Sequence, residues 1–192
     1  MRVYIFGGNS DTARAIYEEV EDGVLVTREE VDVTDGKAVM KYMAKHKPEV
    51  IVNCAGCITP GSVKDSDPSE WFKQIQVNLM GSYFLAKYAL ENGCKAIIFI
   101  GSTSGLKGRK DWSAYCASKA ALISLTESLI EEGVEAYCIN PGRMKTAMRR
   151  KLFPDEDQKT LLDPRAIGKV VSLIAMGAYQ PGCIGIRKEL EV

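Results

Sequence analysis

Short apolar runs alternate with longer amphipathic stretches along this chain. The runs are rich in β-branched residues, which is typical of buried strands, and the stretches repeat apolar positions every three or four residues, as helices do. Strands that alternate with helices predict an α/β fold, in which a parallel sheet carries helices on both faces. The predicted strands are 2–6, 24–27, 30–33, 49–54, 95–100, 134–139 and 183–187.

Aspartates mark the predicted starts of the helices, because an aspartate side chain accepts hydrogen bonds from the free amides of a first turn. The predicted helices begin at Asp11, Asp35, Asp67, Asp111 and Asp163. Only two residues, 28 and 29, separate the second and third predicted strands, which is too few for a crossover helix. We therefore expect about seven strands, with the helix between strands two and three missing.

Composition narrows the class of protein further. The 192 residues are 46% hydrophobic and 26% charged, which predicts a single globular domain over 1–192. The 25 basic and 25 acidic residues balance, so no charge excess favours nucleic acid or a membrane surface. The chain opens directly on a strand pattern and contains no apolar run of 18 residues, so we expect a cytoplasmic protein.

Six cysteines are scattered through apolar segments, which predicts buried, reduced thiols in a chain of this size. Cys54 and Cys57 form a C-x-x-C motif, which would suit a redox pair or half of a zinc site. The sequence contains no second C-x-x-C, and His46 is its only histidine. We therefore expect no metal.

Two Tyr-x-x-x-Lys pairs occur, "YFLAK" at 83–87 and "YCASK" at 115–119. Both lie on predicted helices, where residues four apart share a face, so the spacing alone does not choose between them. Ser102 stands 13 residues before Tyr115, just after a predicted strand, whereas the same offset from Tyr83 falls on Glu70 inside a helix. Ligands of doubly wound sheets bind beyond the carboxyl ends of the strands. This placement favours "YCASK" as a catalytic pair and predicts that Tyr83 packs.

The motifs that surround this pair come in a characteristic order. They are "GGNSDTA" at 7–13, "DVTD" at 32–35, "NCAG" at 53–56, Asn78, Ser102, "YCASK" and "NPGRMKT" at 140–146. In this order the chain resembles the short-chain dehydrogenase/reductase family, a Rossmann-fold family of NAD(P)-dependent oxidoreductases. The resemblance implies a Rossmann-like, doubly wound parallel sheet.

The resemblance also implies catalytic roles. It makes Tyr115 the general acid or base, Lys119 its activator and a ribose ligand, Ser102 the hydroxyl that polarises a carbonyl, and Asn78 a proton-relay residue. A phenol with a pKa near 10 exchanges protons poorly at neutral pH, and a nearby ammonium favours the phenolate. We therefore expect Lys119 to bring the pKa of Tyr115 towards neutrality.

The glycine-rich turn of the family is incomplete here. Gly7 is in register, but Asp11 and Ala13 replace the second and third glycines. A carboxylate repels a pyrophosphate unless Asp11 turns away to cap its own helix, so we expect weakened binding. In the family, the residue after strand two contacts the ribose 2′ position of the cofactor. Arg28 is basic and suits a 2′-phosphate, so it favours NADP over NAD.

The resemblance assigns cofactor contacts to residues in five segments, although ordinary turn chemistry also explains motifs such as "NPG". These residues are Gly7, Gly8, Asn9, Ser10, Asp11, Thr12, Thr27, Arg28, Asp32, Val33, Asn53, Ala55, Gly56, Tyr115, Lys119, Pro141, Gly142 and Thr146.

Two basic clusters flank the inferred pocket, at 107–110 and within the segment 143–163 that would cover a substrate. Guanidinium groups bind carboxylate and phosphate well, so Arg109, Arg143 and Arg149 are candidates for binding an anionic substrate. Solvated surface charge is the more common explanation of such clusters.

The predicted function is carbonyl reduction or alcohol oxidation on a small molecule, and the alternative is a dinucleotide-binding sensor that has lost catalysis. Related epimerases and dehydratases carry a C-terminal substrate domain, for which the 50 residues after Gly142 leave no room. The resemblance implies a homodimer formed through the helices that hold Asn78 and Tyr115. The segment 184–192 lacks the family's usual glycine pair, which puts a tetramer in doubt.

Overall fold

Six parallel strands form one sheet in residues 1–188, the part of the chain that the computed structural model describes. The ends of the predicted domain 1–192 and of the segment 184–192 lie outside these residues. The sheet has the order β2–β1–β3–β4–β5–β6. Its strands are β1 Val3–Phe6, β2 Gly23–Val26, β3 Val50–Asn53, β4 Ala96–Ile100, β5 Glu135–Pro141 and β6 Gly182–Ile186.

The predicted α/β fold class is confirmed, with six strands in the described residues where about seven were predicted. The predicted strand at 30–33 is wrong, because these residues form a turn and an irregular link to the next helix. Val31 and Val33 are nevertheless buried, and Val33 packs against Gly81. The alternating pattern that suggested a strand therefore comes from two side chains that anchor a loop. Within residues 1–188, the chain therefore has neither a crossover helix directly after β2 nor a strand beyond β2 in the sheet.

Seven α-helices and three short helical turns fill the connections within residues 1–188. The helices are α1 Asp11–Glu19, α2 Gly36–His46, α3 Pro68–Ile75, α4 Gly81–Glu91, α5 Ser113–Glu131, α6 Ala147–Leu152 and α7 Arg165–Ala175. A π-helical turn, Gln76–Met80, joins α3 to α4, and short 3-10 turns occupy Thr103–Gly105 and Gln158–Thr160.

The helix caps match the sequence prediction in some places only. Asp35 accepts hydrogen bonds from two amides of α2, and Asp67 caps α3, as predicted. The predicted caps of α1 and α5 are wrong. Ser10 caps α1 in place of Asp11, and Asp111 adopts a left-handed conformation (φ 62°) two residues before α5.

Helices cover both faces of the sheet. α1 and α7 pack together on one face, and α2, α4 and α5 cover the other. All residues of β1, β3 and β4 are buried, which explains why these strands appear in the sequence as continuous apolar runs.

The chain order reverses between β1 and β3. From β1 the chain moves outward to β2 and then returns to place β3 on the other side of β1. Such a reversal opens a crevice at the carboxyl ends of the two strands, which is where doubly wound proteins bind ligands. Within residues 1–188, no helix is both long and apolar enough to cross a membrane.

Candidate active site

A cleft of about 700 Å³ lies at the carboxyl ends of the strands. It runs from the turn before α1, through the ends of β3 and β4, to the first turns of α5. Residues of the segment after β5 also line it. Predicted site residues along its walls are Asn9, Ser10, Asp11, Thr12, Gly56, Ser102, Arg109, Tyr115, Lys119, Pro141, Gly142, Arg143, Thr146 and Arg149.

Tyr115 and Ser102 line this cleft together. Burial raises the pKa of the Tyr115 phenol above its usual value, and hydrogen bonding with Ser102 acts in the opposite direction without cancelling the effect of burial. The sequence predicted a lowered pKa, so the direction of that expectation is wrong for the structure as it stands. A phenol with a raised pKa is protonated at neutral pH and is therefore a proton donor.

Backbone and side-chain contacts fix Ser102. Its amide donates a 3.1 Å hydrogen bond to Asn140 Oδ1, at the end of β5. Its hydroxyl oxygen accepts a 3.1 Å bond from the amide of Ser104. Because the oxygen is held as an acceptor, the hydroxyl proton is left to be donated towards the cleft.

Lys119 lies one helical turn after Tyr115 on α5, so both side chains share one face. Its Nζ donates to the carbonyl of Ile100 at 2.8 Å and lies 5.7 Å from the centre of the Tyr115 ring. Burial lowers the pKa of Lys119 to about 8. The ammonium is thus still the main form at pH 7.

Asn78 is fully buried in the π-helical turn and does not line the cleft. Its Oδ1 accepts from the amide of Cys57 at 2.8 Å, and its Nδ2 donates to the carbonyl of Cys57 and to Ser118 Oγ, both at 3.0 Å. Asn78 therefore fixes the loop after β3 against α5. Gly56 lies between this side chain and Lys119, since a Cβ there would be 3.4 Å from Asn78 Oδ1 and 3.7 Å from Lys119 Nζ.

The second Tyr-x-x-x-Lys pair lies away from the cleft. The Tyr83 side chain is 43% exposed on α4 rather than packed, which differs from the prediction. Lys87 forms a 2.6 Å ion pair with Glu91. Of the two pairs, only "YCASK" lies beside Ser102.

The turn after β1 brings the backbone close to the loop that follows the neighbouring strand, β3. Gly7 has φ 78°, and a Cβ on it would lie 2.7 Å from the amide nitrogen of Ala55, so no other residue fits without strain. Gly8 donates its amide to the carbonyl of Val26. The first turn of α1 then points at the cleft, as an anion-binding helix N-terminus does.

Asp11 does not turn away to cap its own helix, which was one of the two expectations from the sequence. Its carboxylate reaches across the cleft and accepts a 2.5 Å hydrogen bond from the amide of Ala147, the first residue of α6. A negative charge therefore lies between the N-terminal turns of α1 and α6. This is the region in which a pyrophosphate would bind.

The turn after β2 carries charges of both signs. Arg28 forms hydrogen bonds of 3.0 and 2.9 Å with one carboxylate oxygen of Asp32, and the other oxygen accepts from Thr34. These contacts lower the pKa of Asp32, the largest cause being the hydrogen bond from Thr34. Glu29 accepts a 3.2 Å bond from Asn9 of the glycine turn. The amide of Thr27 donates to the side chain of Glu30 at 2.8 Å.

Three further predicted cofactor residues, Asn53, Gly142 and Thr146, also form hydrogen bonds within the protein. Asn53 donates to Ser82 at 2.8 Å and accepts from the amide of Ala55 at 2.9 Å, so it shapes the turn after β3. The amide of Gly142 pairs with β6, and Thr146 caps α6. Val33 is buried and outside the cleft.

The predicted substrate arginines are not equivalent. Glu156 accepts two hydrogen bonds from Arg149, at 2.6 and 2.7 Å, and one from Arg143 at 2.9 Å. These contacts, led by the bond from Arg149, lower the pKa of Glu156. Both arginines are therefore paired within their own segment with one shared carboxylate, whereas Arg109 is exposed and lines the cleft.

All six cysteines are free thiols. Burial raises the pKa of Cys54 to about 12 and also raises that of Cys57, so neither is a reactive thiolate at neutral pH. The predicted burial of all six holds for Cys94, Cys116 and Cys138 only, since Cys54 and Cys57 are half-buried and Cys183 is exposed. No group of three metal-binding side chains occurs between residues 1 and 188.

The sequence prediction missed several residues of the site. Asn140, which fixes Ser102, follows a predicted strand and could have been noticed from that position alone. Trp112 and Phe153 line the cleft beside Tyr115, with ring centres 6.0 Å apart. Their contact joins distant parts of the chain, and no sequence spacing reveals it.

Comparisons with known proteins point to one family. The family described as "short chain dehydrogenase" matches residues 1–157. A 2-keto-3-deoxy-L-fuconate dehydrogenase of Xanthomonas campestris pv. campestris is 29% identical, over 85% of this chain and 63% of its own. A bifunctional ribulose 5-phosphate reductase/CDP-ribitol pyrophosphorylase of Haemophilus influenzae is 31% identical, over 80% of this chain and 35% of its own. The chain thus spans less than two thirds of the length of each of these relatives.

Solved structures share the fold at lower identity. An oxidoreductase from Burkholderia thailandensis has a TM-score of 0.83 and 19% identity, over 98% of this chain and 92% of its own. A structure of ElxO with NADP bound has a TM-score of 0.80 and 22% identity, over 97% of this chain and 96% of its own. The resemblance seen in the sequence is confirmed, and the chain belongs to the short-chain dehydrogenase/reductase family of NAD(P)-dependent oxidoreductases.

Proposed function

We propose that the protein reduces a carbonyl compound, or oxidises the matching alcohol, by hydride transfer with NADP or NAD. One observation carries this proposal: Ser102, Tyr115 and Lys119 share a single cleft with the turn that precedes α1. Such a cleft is long enough to hold a dinucleotide at one end and a small molecule at the other.

Each side chain has a role in this reaction. A bound nicotinamide supplies or accepts the hydride. Tyr115 donates a proton to the substrate oxygen, and the hydroxyl of Ser102 stabilises the charge that develops on it. Lys119 keeps positive charge beside the phenol and binds the ribose. Asn78 fixes the loop around Gly56 and relays protons towards Lys119.

The raised pKa of Tyr115 keeps the phenol protonated near neutrality. A general acid must carry its proton at the working pH, so Tyr115 meets this requirement for carbonyl reduction. Oxidation of the alcohol needs the phenolate, which forms only at higher pH.

The residues present fit a dinucleotide with one exception. Gly7 keeps its backbone free of side-chain bulk, and Asn9, Ser10 and Thr12 line the cleft. Thr146 and Gly142 lie on the opposite wall. The exception is Asp11, whose negative charge opposes a pyrophosphate.

NADP is the preferred cofactor in this proposal. The Arg28 side chain is 78% exposed, so it is able to leave Asp32 and bind a 2′-phosphate. Structures of similar fold have been solved with NADP or NADPH bound. Glu29, which contacts the glycine turn, is the group that would favour NAD instead.

The test is spectrophotometric. NADPH oxidation is followed over a panel of aldehydes and ketones, with the wild-type protein and Tyr115→Phe. We expect turnover by the wild type and a loss of at least 100-fold in kcat/KM for Tyr115→Phe, because the proton donor is removed. Tyr83→Phe, in the second Tyr-x-x-x-Lys pair, is the matched control. Equal rates for wild type and Tyr115→Phe would refute the assignment.

The same assay tests the cofactor preference. The kcat/KM ratio for NADPH over NADH is expected to exceed one and to fall in Arg28→Ala. A ratio below one that rises in Glu29→Gln would show that Glu29 selects the cofactor and that NAD is preferred.

A non-catalytic dinucleotide sensor is the second candidate. The feature that motivates it is the altered glycine turn, in which Asp11 and Ala13 replace two glycines of the family pattern. Tight binding of NADPH without turnover of any carbonyl in the panel would support the sensor.

The remaining proposals concern the whole protein. We propose a single domain over residues 1–192, with the segment 143–163 covering the substrate, and a cytoplasmic homodimer. Exposed Phe72, Met80 and Tyr83 lie along α3, the π-helical turn and α4, which supports pairing through these helices.

A further inference from the structure

Two aromatic rings, those of Trp112 and Phe153, form a wall in a row with the ring of Tyr115, the proposed proton donor. The ring of Trp112 meets that of Tyr115 edge to face, with centres 5.8 Å apart. Phe153 continues the row, 6.0 Å from Trp112. All three side chains line the cleft. A substrate carbonyl that reaches Tyr115 therefore has an aromatic surface next to it.

Further apolar side chains line the cleft, although charged residues line it as well. Ile58, Pro60, Met144 and Leu152 line the same cleft. Phe153 is 37% exposed, and Met148 is another exposed large apolar side chain in the cleft. Exposed apolar groups that gather in a concave site are typical of a surface that binds an apolar ligand.

The guanidinium in contact with this wall already has a carboxylate partner. Arg149 Cζ lies 3.8 Å from the centre of the Phe153 ring, so the guanidinium stacks on the aromatic face. Its nitrogens bond to Glu156, whose side chain is only 14% exposed. Because this pair is largely shielded from water, turning Arg149 towards a substrate anion would cost Glu156 two of its hydrogen bonds. Arg149 therefore supports the wall.

We propose that the substrate is a carbonyl compound that carries a phenyl-sized apolar group, and that Trp112 and Phe153 bind this group. This inference rests on the proposed function. In the reaction the carbonyl carbon gains a hydride from the reduced nicotinamide, the C=O π electrons move to oxygen, and oxygen takes the Tyr115 proton. The carbonyl becomes an alcohol, the cofactor is oxidised, and the phenolate regains a proton from solvent.

This substrate class differs from those that the relatives' names state. A keto-deoxy sugar acid and a pentose phosphate are polar and anionic. Their hydroxyl and charged groups would lose hydrogen bonds to water against Trp112 and Phe153 without finding replacements. The wall thus discriminates against polyhydroxylated carbonyl compounds.

The test compares two ketones with the same butanone skeleton, one with a phenyl group (benzylacetone) and one with three hydroxyls (erythrulose). Initial rates of NADPH oxidation give kcat/KM for each. We expect benzylacetone to exceed erythrulose by at least 10-fold, since a buried phenyl group adds several methylene equivalents of apolar contact. The preference is expected to shrink in Phe153→Ser.

Leu173→Ser is the matched control, because Leu173 is 39% exposed on α7 and does not line the cleft. It should leave the ratio between the two ketones unchanged. An equal or higher kcat/KM for erythrulose in the wild type would overturn the substrate inference and leave the proposed function intact. NADPH oxidation with neither ketone nor any other carbonyl compound would overturn both.

Discussion

At the scale of single residues, the largest departure from the family pattern is Asp11. The sequence offered two outcomes, repulsion of the cofactor or capping of α1. In the structure Ser10 caps the helix, and the Asp11 carboxylate accepts a hydrogen bond from the amide of Ala147 across the cleft. The residue is thus placed to control how tightly a dinucleotide binds.

Replacing Asp11 by asparagine is expected to tighten NADPH binding about 10-fold. The substitution keeps the side-chain shape and removes a negative charge that would face the pyrophosphate, and close charges near a protein surface interact by a few kcal/mol before screening. Isothermal titration calorimetry measures the Kd. Asp22→Asn is the control, since Asp22 precedes β2 at the amino end of the strands, whereas the cleft lies at their carboxyl ends. Unchanged or weaker binding by Asp11→Asn would show that the carboxylate does not oppose the cofactor.

The buried Lys119 leads to a second prediction at this scale, which concerns how the free energy of unfolding depends on pH. Its pKa falls from 10.5 to about 8 on folding, so the unfolded chain binds one more proton between these values. Stability therefore rises as pH increases from 8 to 10.5, and below pH 8 burial of the charge costs about 3 kcal/mol. Lys119→Met removes this cost. Its free energy of unfolding relative to wild type is expected to be most favourable at pH 7 and to decline towards pH 10.

Urea unfolding of the cofactor-free proteins at pH 7, 9 and 10 measures this difference. Lys169→Met, on the exposed side of α7, is the control and should show no such trend. A difference between Lys119→Met and wild type that stays constant across the three pH values would mean that Lys119 is not desolvated.

At the scale of elements, the sequence predicted the buried strands well. Strands covered on both faces must be apolar throughout, so β1, β3 and β4 are visible as continuous runs. The prediction failed at 30–33, where two buried valines in a loop imitate an alternating strand. The local sequence pattern does not distinguish a strand from such a loop. Whether a segment pairs with a neighbouring strand depends on the rest of the fold.

The same distinction applies to the site. Ser102, Tyr115 and Lys119 were predictable because one strand, one loop and the first turns of one helix place them. The partners of Arg28 and Arg149 were not, because an arginine's preferred carboxylate depends on which loops meet in space. Trp112 and Phe153 were missed for the same reason.

At the scale of the whole molecule, the exposed apolar side chains on the α3–α4 helices predict a dimer. Tyr83→Glu places a charge among Phe72, Met80 and Tyr83, and it is expected to dissociate a dimer of two 21.1 kDa chains into monomers. Sedimentation equilibrium measures the mass. Tyr17→Glu, at an exposed position on α1, is the control. A wild-type protein that sediments as a monomer, or a Tyr83→Glu variant that stays dimeric, would contradict pairing through these helices.

Ser102, Tyr115 and Lys119 all come from one continuous piece of the chain, the unit formed by β4, the loop after it and the start of α5. That unit sits in the middle of the sheet, with β3 on one side and β5 on the other. In the doubly wound order, a further strand would lie beyond β2, with β3, β1 and β2 between it and β4. The lack of a strand at that margin therefore leaves the proposed proton-transfer groups in place, and the shortening lies beside the turn that carries Arg28.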